Sequence, residues 1–507
     1  MFISAIPSFA DLKTVNADLG SKTGRISNFI SGVSDGPAYD AKSYLPLKEA
    51  KFKLVEVMIW LSNPEQGRFP ARNDARELER NIQTAKKQIR SIIDIGAEPL
   101  VFMVSSRRPD DLTRYQEQVK GIVGELRSSV RESGRDLLIF RFGNEPESRH
   151  FWQGTRQEFF DTYRAWATAV KSVSSAYLVE APGFISATNK RFLDNYYDSV
   201  NEFSIEFLEF CKRNRVPLDI FTFHFYGTDL SNLAKEVAVV KKELEKYPGL
   251  SPAFGVPKVG VDEWNIYVFG LQVGKYVDVF DTAETAAHNV AAMIDMARNG
   301  AWLGVRFGAT NVAPPNKPDG MDGMPPGGDR PPPPGGPPGG FGGPGPGPQM
   351  GGGAPKGAGD FLMVKLDRTP KPSYYAFSAF NELLSTPELF AINAEKGIRA
   401  IAGKSPDGRQ INIVLSFYDE AMAEAALKKS LGEYSFFPNK TLSSDVRLKL
   451  KNIAKTDIVE IKRFVVNDRS TTASPVEART VSQKDGEISL EFRAETPSVM
   501  LIQLRLR

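Results

Sequence analysis

The sequence predicts an α/β chain: a (β/α)8 TIM barrel joined to an accessory all-β sandwich domain. Three observations carry this expectation. Eight short apolar runs alternate with longer amphipathic stretches between about residues 29 and 310. The runs are rich in Val, Ile, Leu and Phe without strict alternation, as expected of parallel strands covered on both faces. Beyond about residue 388 the texture shifts to strand-like runs separated by turn signals such as Pro406-Asp407-Gly408. A doubly wound open sheet is the alternative for the first region, but eight units without a Gly-rich phosphate loop fit the barrel better.

The elements follow in order. Residues 1–28 form an N-terminal segment in which Thr14–Ser27 alternates, and this segment is expected to add a strand to the sandwich. The barrel spans 29–387. Its strands are read at Phe29–Ser34, Lys53–Leu61, Glu98–Ser105, Leu137–Glu145, Tyr177–Phe184, Asp219–Gly227, Lys258–Asn265 and Trp302–Ala309. Between them, Asp74–Gly96 repeats Leu78, Ile82, Ala85, Ile89 and Ile92 at steps of three and four, with Gly96 as a C-cap. Thr155-x-x-Glu158 is a capping box opening a helix that carries Phe159, Tyr163, Trp166 and Val170. Ala283–Arg298 reads as a helix ending at Asn299-Gly300.

Residues 313–360 hold 17 Gly and 15 Pro, which cannot bury a core. This tract lies after the eighth strand and before a helix at about Ser373–Leu384. It reads either as a tolerated surface insertion or as a flexible arm at the barrel mouth. The sandwich, 388–507, has strands expected at Gly397–Ala402, Gln410–Phe417, Ile458–Val466 and Ser498–Leu506.

Composition narrows the partners. The 507 residues are 41% hydrophobic and 25% charged, with a formal net charge of +3. Lys and Arg are scattered among acids, so nucleic acid is not an expected partner. One cysteine, Cys211, and three histidines make a Cys/His zinc site implausible, and neither metal nor cofactor is expected. No apolar stretch is long enough to span a membrane. Met1–Ala10 lacks a basic n-region, so a cytoplasmic chain or a mature secreted form is expected. The sequence carries no signal of oligomeric state.

Barrels gather their functional groups at the C-terminal ends of the strands. Those ends here are Trp60, Ser105, Asn144, Glu145, Glu180, His224, Tyr226, Glu263, Trp264 and Arg306. The set is polar and aromatic, which suits hydrogen bonding to sugar hydroxyls and stacking on sugar faces. Glu145 and Glu263 close the fourth and seventh strands, which lie across the barrel from one another. A lone strand-end Glu is more often an ion-pair partner. Two that converge suit retaining glycoside hydrolysis, which needs carboxyls about 5–5.5 Å apart.

Asn144-Glu145-Pro146 and Glu263 resemble the pattern of clan A glycoside hydrolases. Phe223-His224-Phe225-Tyr226 and Ala181-Pro182-Gly183 resemble segments of family 39. Asp262-Glu263-Trp264-Asn265 is also similar to the nucleophile segment of family 51. The resemblance implies Glu145 as general acid/base, Glu263 as nucleophile and Asn144 as the donor to the sugar 2-hydroxyl. Tyr226 would hydrogen-bond Glu263 and favour its ionised form. His224 would line the same subsite, or else be a satisfied core histidine. Trp60 and Trp264 would be stacking platforms, with buried packing the alternative for Trp264. Trp152 would serve a leaving-group subsite, while His150 and His288 are read as surface or packing residues. Many clan members carry Trp at the end of strand eight. Arg306-Phe307 stands there instead, so either Phe307 replaces the platform or Arg306 reaches into the pocket. The function expected is a retaining glycosidase acting on a polysaccharide or oligosaccharide. A transglycosylase and a non-catalytic carbohydrate-binding protein are the alternatives.

Overall fold

The computed structural model describes residues 12–34, 44–61, 75–131, 133–135, 138–149, 151–189, 199–266, 278–308, 362–365, 369–430, 442–453, 459–469, 474–481 and 483–506. His150 and the Pro/Gly-rich tract lie outside these residues.

Strand β1 (Lys13–Arg25) belongs to the accessory sheet. The next eight strands close into a parallel barrel: β2 (Phe29–Val33), β3 (Leu54–Trp60), β4 (Glu98–Val104), β5 (Ile139–Phe142), β6 (Leu178–Phe184), β7 (Ile220–Tyr226), β8 (Lys258–Asn265) and β9 (Leu303–Arg306). Closure is made by β2 pairing with β9, where Val33 lies opposite Arg306. All eight fall within the apolar runs, because residues on both faces of these strands are buried.

Outward residues such as Val57, Ile59, Val101, Met103, Phe140 and Val179 pack under the helices. Fully burying a side chain of this kind contributes about 1.5–3 kcal/mol. The inward residues form layers. Leu54, Leu100, Ile139, Leu178, Ile220, Leu303 and Val305 make a separate apolar plug at the bottom. Above it the buried inward residues include Glu56, Phe102, Arg141, Glu180, Thr222, His224 and Asp262.

The connecting helices are α1 (Leu45–Glu49), α2 (Ala75–Asp94), α3 (Leu112–Arg131), α4 (Arg156–Val173), α5 (Glu202–Asn214), α6 (Leu230–Leu244), α7 (Ala283–Asn299) and α8 (Pro372–Asn381). Their ends follow from local chemistry. The capping box at α4 is complete, with the Thr155 hydroxyl accepting from the Glu158 amide and Glu158 accepting from the Thr155 amide at 2.7 Å. Gly300, at φ +86°, ends α7 in the left-handed region. No helix among the described residues is long and apolar enough to cross a membrane.

The accessory module is one continuous nine-stranded sheet. Besides β1 it contains β10 (Glu388–Ala394), β11 (Ile398–Lys404), β12 (Gln410–Phe417), β13 (Leu442–Lys451), β14 (Val459–Val466), β15 (Glu477–Val481), β16 (Ile488–Thr496) and β17 (Ser498–Leu506). A helix, α9 (Glu420–Ser430), follows β12. Strand β1 sits between β10, antiparallel, and β13, parallel, so both ends of the chain build the sheet. Its buried face makes a core of its own from residues such as Val15, Ile413, Leu448, Leu490 and Ile502.

The sheet is tied to the barrel side by hydrogen bonds. The Ser416 hydroxyl donates to the Ala287 carbonyl at 2.7 Å, and the Tyr418 hydroxyl donates to the Thr228 carbonyl at 2.6 Å. The Asp468 carboxylate accepts from the Ala283 amide at 2.8 Å, capping α7.

Candidate active site

Glu145 stands three residues past β5, on the turn Gly143-Asn144-Glu145. Gly143 adopts φ +89°, and a Cβ there would lie 2.5 Å from the Pro182 carbonyl oxygen, so this turn demands glycine. Glu145 itself sits at φ +44°, which few non-glycine residues adopt. Its amide donates to the Gly183 carbonyl at 2.7 Å, fixing the turn against β6. Strain held by surrounding structure in this way is a mark of functional positions.

Glu263 is presented by an irregularity. In the β7–β8 ladder Val261 pairs with Phe223, yet Glu263 pairs with the next residue, His224. The extra residue is Asp262. A bulge of this kind breaks the strict alternation of faces. Asp262 therefore reaches Arg141 inside the barrel, and Glu263 also turns to the interior, where it meets Tyr226.

The two glutamates converge. One oxygen of each carboxylate and a ring nitrogen of His224 all lie within 4.8 Å of one another. Both side chains keep 18% of their surface exposed, so a ligand can reach them. The Tyr226 hydroxyl donates to Glu263 Oε1 at 2.5 Å. His224 Nδ1 lies 2.9 Å from Glu145 Oε1. Among the described residues this trio is also the one cluster able to ligate a cation, and it is already engaged by Tyr226 and by Arg141 through His224.

Arg141 lies beneath the pair, fully buried. It meets the Glu56 carboxylate at 2.7 Å and the Asp262 carboxylate at 2.9 Å. Its Nη2 donates to Asn144 Oδ1 at 3.1 Å and lies 3.1 Å from His224 Nε2. The guanidinium also stacks 4.2 Å from the Phe102 ring centroid. Burial would lower its pKa, but Asp262, Glu56 and Glu180 outweigh that and raise it further above its ordinary value. Glu180 is held well above the usual carboxylate range, first by burial and then by Asp262. Burial and the Asp262 charge thus favour the protonated form of Glu180.

His224 is under opposed influences. Burial lowers its pKa, while Glu263, the Glu145 hydrogen bond and Asp262 would carry it up to about 9. Yet an imidazolium would direct Nε2–H at the guanidinium N–H 3.1 Å away. The contact geometry is the more specific constraint, and it leaves one ring proton, on Nδ1.

The remaining expected site residues divide. Asn144, His224, Tyr226 and both glutamates come together. Phe307 joins them, edge-on to Tyr226 with ring centroids 6.5 Å apart. Trp60 is half-buried at the end of β3, on the same face as Glu56.

Two residues, Trp264 and Arg306, do not face a ligand, and Trp152 lines a cavity while almost wholly buried. Trp264 is fully buried and stacks on Phe377 of α8 at 6.1 Å and 13°. The bulge at Asp262 shifts the alternation and turns this indole out of the barrel. Arg306 follows the inward Val305 and therefore points outward; it is buried and donates to the carbonyls of Phe307 and Gly308. Trp152 is 3% exposed, with its N–H on the Thr155 carbonyl and its ring against Phe159. It lines a cavity of about 590 Å³ beside Pro146 and Glu147 but presents no open stacking face. His288 is buried, donating from Nε2 to the Gly227 carbonyl at 2.9 Å.

Arg141, Glu56, Asp262 and Glu147 were not singled out from sequence. The first two carried a signal: each is a charge inside an otherwise apolar strand run. Glu147 reaches the cavity mouth, where crowding by the protein and then the Glu145 charge push it up to about 7.

Residues 110–280 match the family model described as Glycosyl hydrolases family 39. A beta-xylosidase of Caldicellulosiruptor saccharolyticus is 28% identical over 246 residues, covering 43% of this chain and 46% of that one. The match thus spans less than half of that relative. Among solved structures, a glucosidase from Croceicoccus marinus has a TM-score of 0.69 at 17% identity, covering 99% of this chain and 100% of that one. A monomeric beta-xylosidase from Caulobacter crescentus CB15 has a TM-score of 0.65 at 15% identity, covering 97% and 99%. The structural likenesses show a shared fold. The family match over residues 110–280 and the beta-xylosidase relative support a glycoside hydrolase family 39-like protein.

Proposed function

We propose that the chain is a retaining O-glycosidase in which Glu263 is the nucleophile and Glu145 the general acid/base. One observation carries this reading: carboxylate oxygens of the two residues lie within 4.8 Å, close to the separation that double displacement needs.

Glu263 attacks the anomeric carbon as Glu145 protonates the departing oxygen, giving a covalent glycosyl-enzyme. Water, deprotonated by Glu145, then releases the sugar with its original configuration. The Tyr226 hydroxyl donates to Glu263 Oε1 at 2.5 Å and orients the carboxylate. It also engages Oε1, leaving Oε2 as the freer oxygen for attack. Positioned proton transfer by Glu145 contributes about 10²–10⁴-fold. Asn144, held through its Oδ1 by Arg141, turns its amide N–H groups toward the sugar 2-hydroxyl. Phe307 and Trp60 offer the apolar faces of the subsite.

The relative named as a beta-xylosidase supports a β-xyloside or a close analogue as substrate. The cavity beside Pro146 and Glu147 adjoins the acid/base residue and suits the leaving group. Arg306 is buried on the carbonyls of Phe307 and Gly308, so its own guanidinium does not select an acidic sugar. Transglycosylation shares every step but the last.

A panel of aryl glycosides tests the reading. Wild-type turnover is expected on at least one sugar, with Glu263→Ala reduced by about 10⁴-fold or more in folded protein. Turnover that survives in Glu263→Ala would overturn the assignment.

A further inference from the structure

We propose that Arg141 is a positioning residue that fixes the tautomer of His224, and through it decides which oxygen of Glu145 carries the catalytic proton. This rests on the reading of Glu145 as the acid.

Arginine offers only N–H donors. Its Nη2 lies 3.1 Å from both Asn144 Oδ1 and His224 Nε2. A donor facing Nε2 requires a lone pair there, so the ring proton stands on Nδ1. That N–H is 2.9 Å from Glu145 Oε1 and donates to it. Oε1 is then an acceptor, and the proton of the carboxylic acid is confined to Oε2, the oxygen left for the departing group. The same guanidinium settles the Asn144 amide, whose Oδ1 must face it. One buried cation thus orients both polar neighbours of the scissile bond.

Arg141 is held for this task. Glu56 at 2.7 Å and Asp262 at 2.9 Å grip it, the Asp262 carbonyl accepts from Nη1 at 3.3 Å, and Phe102 backs it. Asp262 and Glu263 also lie 3.7 and 3.9 Å from His224 Nε2, but neither is as near as Arg141. His288 provides an internal contrast. Its Nε2 must donate to the Gly227 carbonyl, so it carries the opposite tautomer.

Two experiments decide the matter. The chain has three histidines, so ¹⁵N-imidazole NMR of the full protein is tractable, with His224→Gln and His288→Gln assigning the signals. His224 is expected to show a protonated Nδ1 and a bare Nε2, and His288 the reverse. A protonated Nε2 on His224, alone or with Nδ1, would overturn the proposal. This measurement needs no Arg141 variant and no turnover, so it stands even if the glycosidase reading fails.

The second compares Arg141→Lys with wild type on aryl glycosides of graded leaving-group acidity, after thermal melts establish folding. Loss of acid assistance should cost about 10²-fold with a poor leaving group and under about 10-fold with dinitrophenolate. An equal loss across the series would mean that Arg141 does not act through the Glu145 acid, and would overturn the proposal. Wild-type turnover and the Glu263→Ala control separate this outcome from failure of the glycosidase assignment.

Discussion

The bottom and the top of the barrel interior follow opposite physics. At the bottom, Leu54, Leu100, Ile139, Leu178, Ile220, Leu303 and Val305 fill space with apolar atoms. Each makes its contribution by area, and none depends on the identity of its neighbour beyond shape. One layer up, Arg141 is buried among Glu56, Glu180 and Asp262. Those groups are costly to bury singly and tolerable only together. The difference teaches that the plug makes the barrel stable, whereas the charged layer holds the two glutamates and their neighbours in register. A substitution in the plug should therefore cost stability and spare the chemistry, whereas one in the charged layer should cost both.

The largest expected effect lies at the mouth. Azide added to Glu263→Ala should restore turnover as a glycosyl azide of inverted configuration, and added to Glu145→Ala as one of retained configuration. Product analysis by NMR checks both. A gain from azide with the reverse configurations would exchange the two roles.

Next comes the charged layer. Arg141→Met leaves three carboxyl groups without their cation and should cost about 3–5 kcal/mol in urea unfolding. Adding Glu56→Met should return part of that loss, because fewer charges remain buried. A strictly additive double variant would mean that the layer behaves like the plug.

The plug gives the mirror image. Ile139→Ala should lose about 2–5 kcal/mol of stability while kcat/KM stays within about threefold. A large activity loss in that variant would erase the distinction between the layers.

His288, outside the barrel wall, sharpens the contrast with His224. Burial depresses it to about 4, so between roughly pH 6.5 and 4 the unfolded chain binds the extra proton and the folded chain does not. Stability should therefore fall by about 3 kcal/mol as pH drops from 7 to 4 on this account alone. His288→Gln should flatten the slope in urea titrations; an unchanged slope would assign it to other groups.

The smallest effect concerns the accessory sheet. Tyr418→Phe removes the hydroxyl that holds the Thr228 carbonyl, two residues beyond Tyr226. It should cost about 1 kcal/mol and change kcat only severalfold.

How much was legible in the sequence follows from burial. The eight barrel strands stood out because both faces are covered, so apolar residues run continuously. In the accessory sheet, β10, β13, β15 and β16 were not read as strands. In β13 the outward Ser443, Asp445, Arg447 and Lys449 alternate with Val446, Leu448 and Leu450, so charge masked the apolar half. The glutamates were visible because strand ends are where barrels place chemistry. Trp264 and Arg306 were expected at the site by the same rule and lie elsewhere. For Arg306 simple alternation from Val305 would have given the direction; for Trp264 the bulge that reversed it exists only in the β7–β8 ladder. The grip of Arg141 on Glu56 and Asp262 was hidden for a related reason, since strands far apart in sequence meet there.

The central claim is that Glu145 and Glu263 act across a retaining distance. Its most direct test is ¹H NMR of the first sugar released from an aryl glycoside by the wild-type protein, recorded before mutarotation. The account predicts that the initial product keeps the anomeric configuration of the substrate. An initial product of the opposite configuration would contradict it.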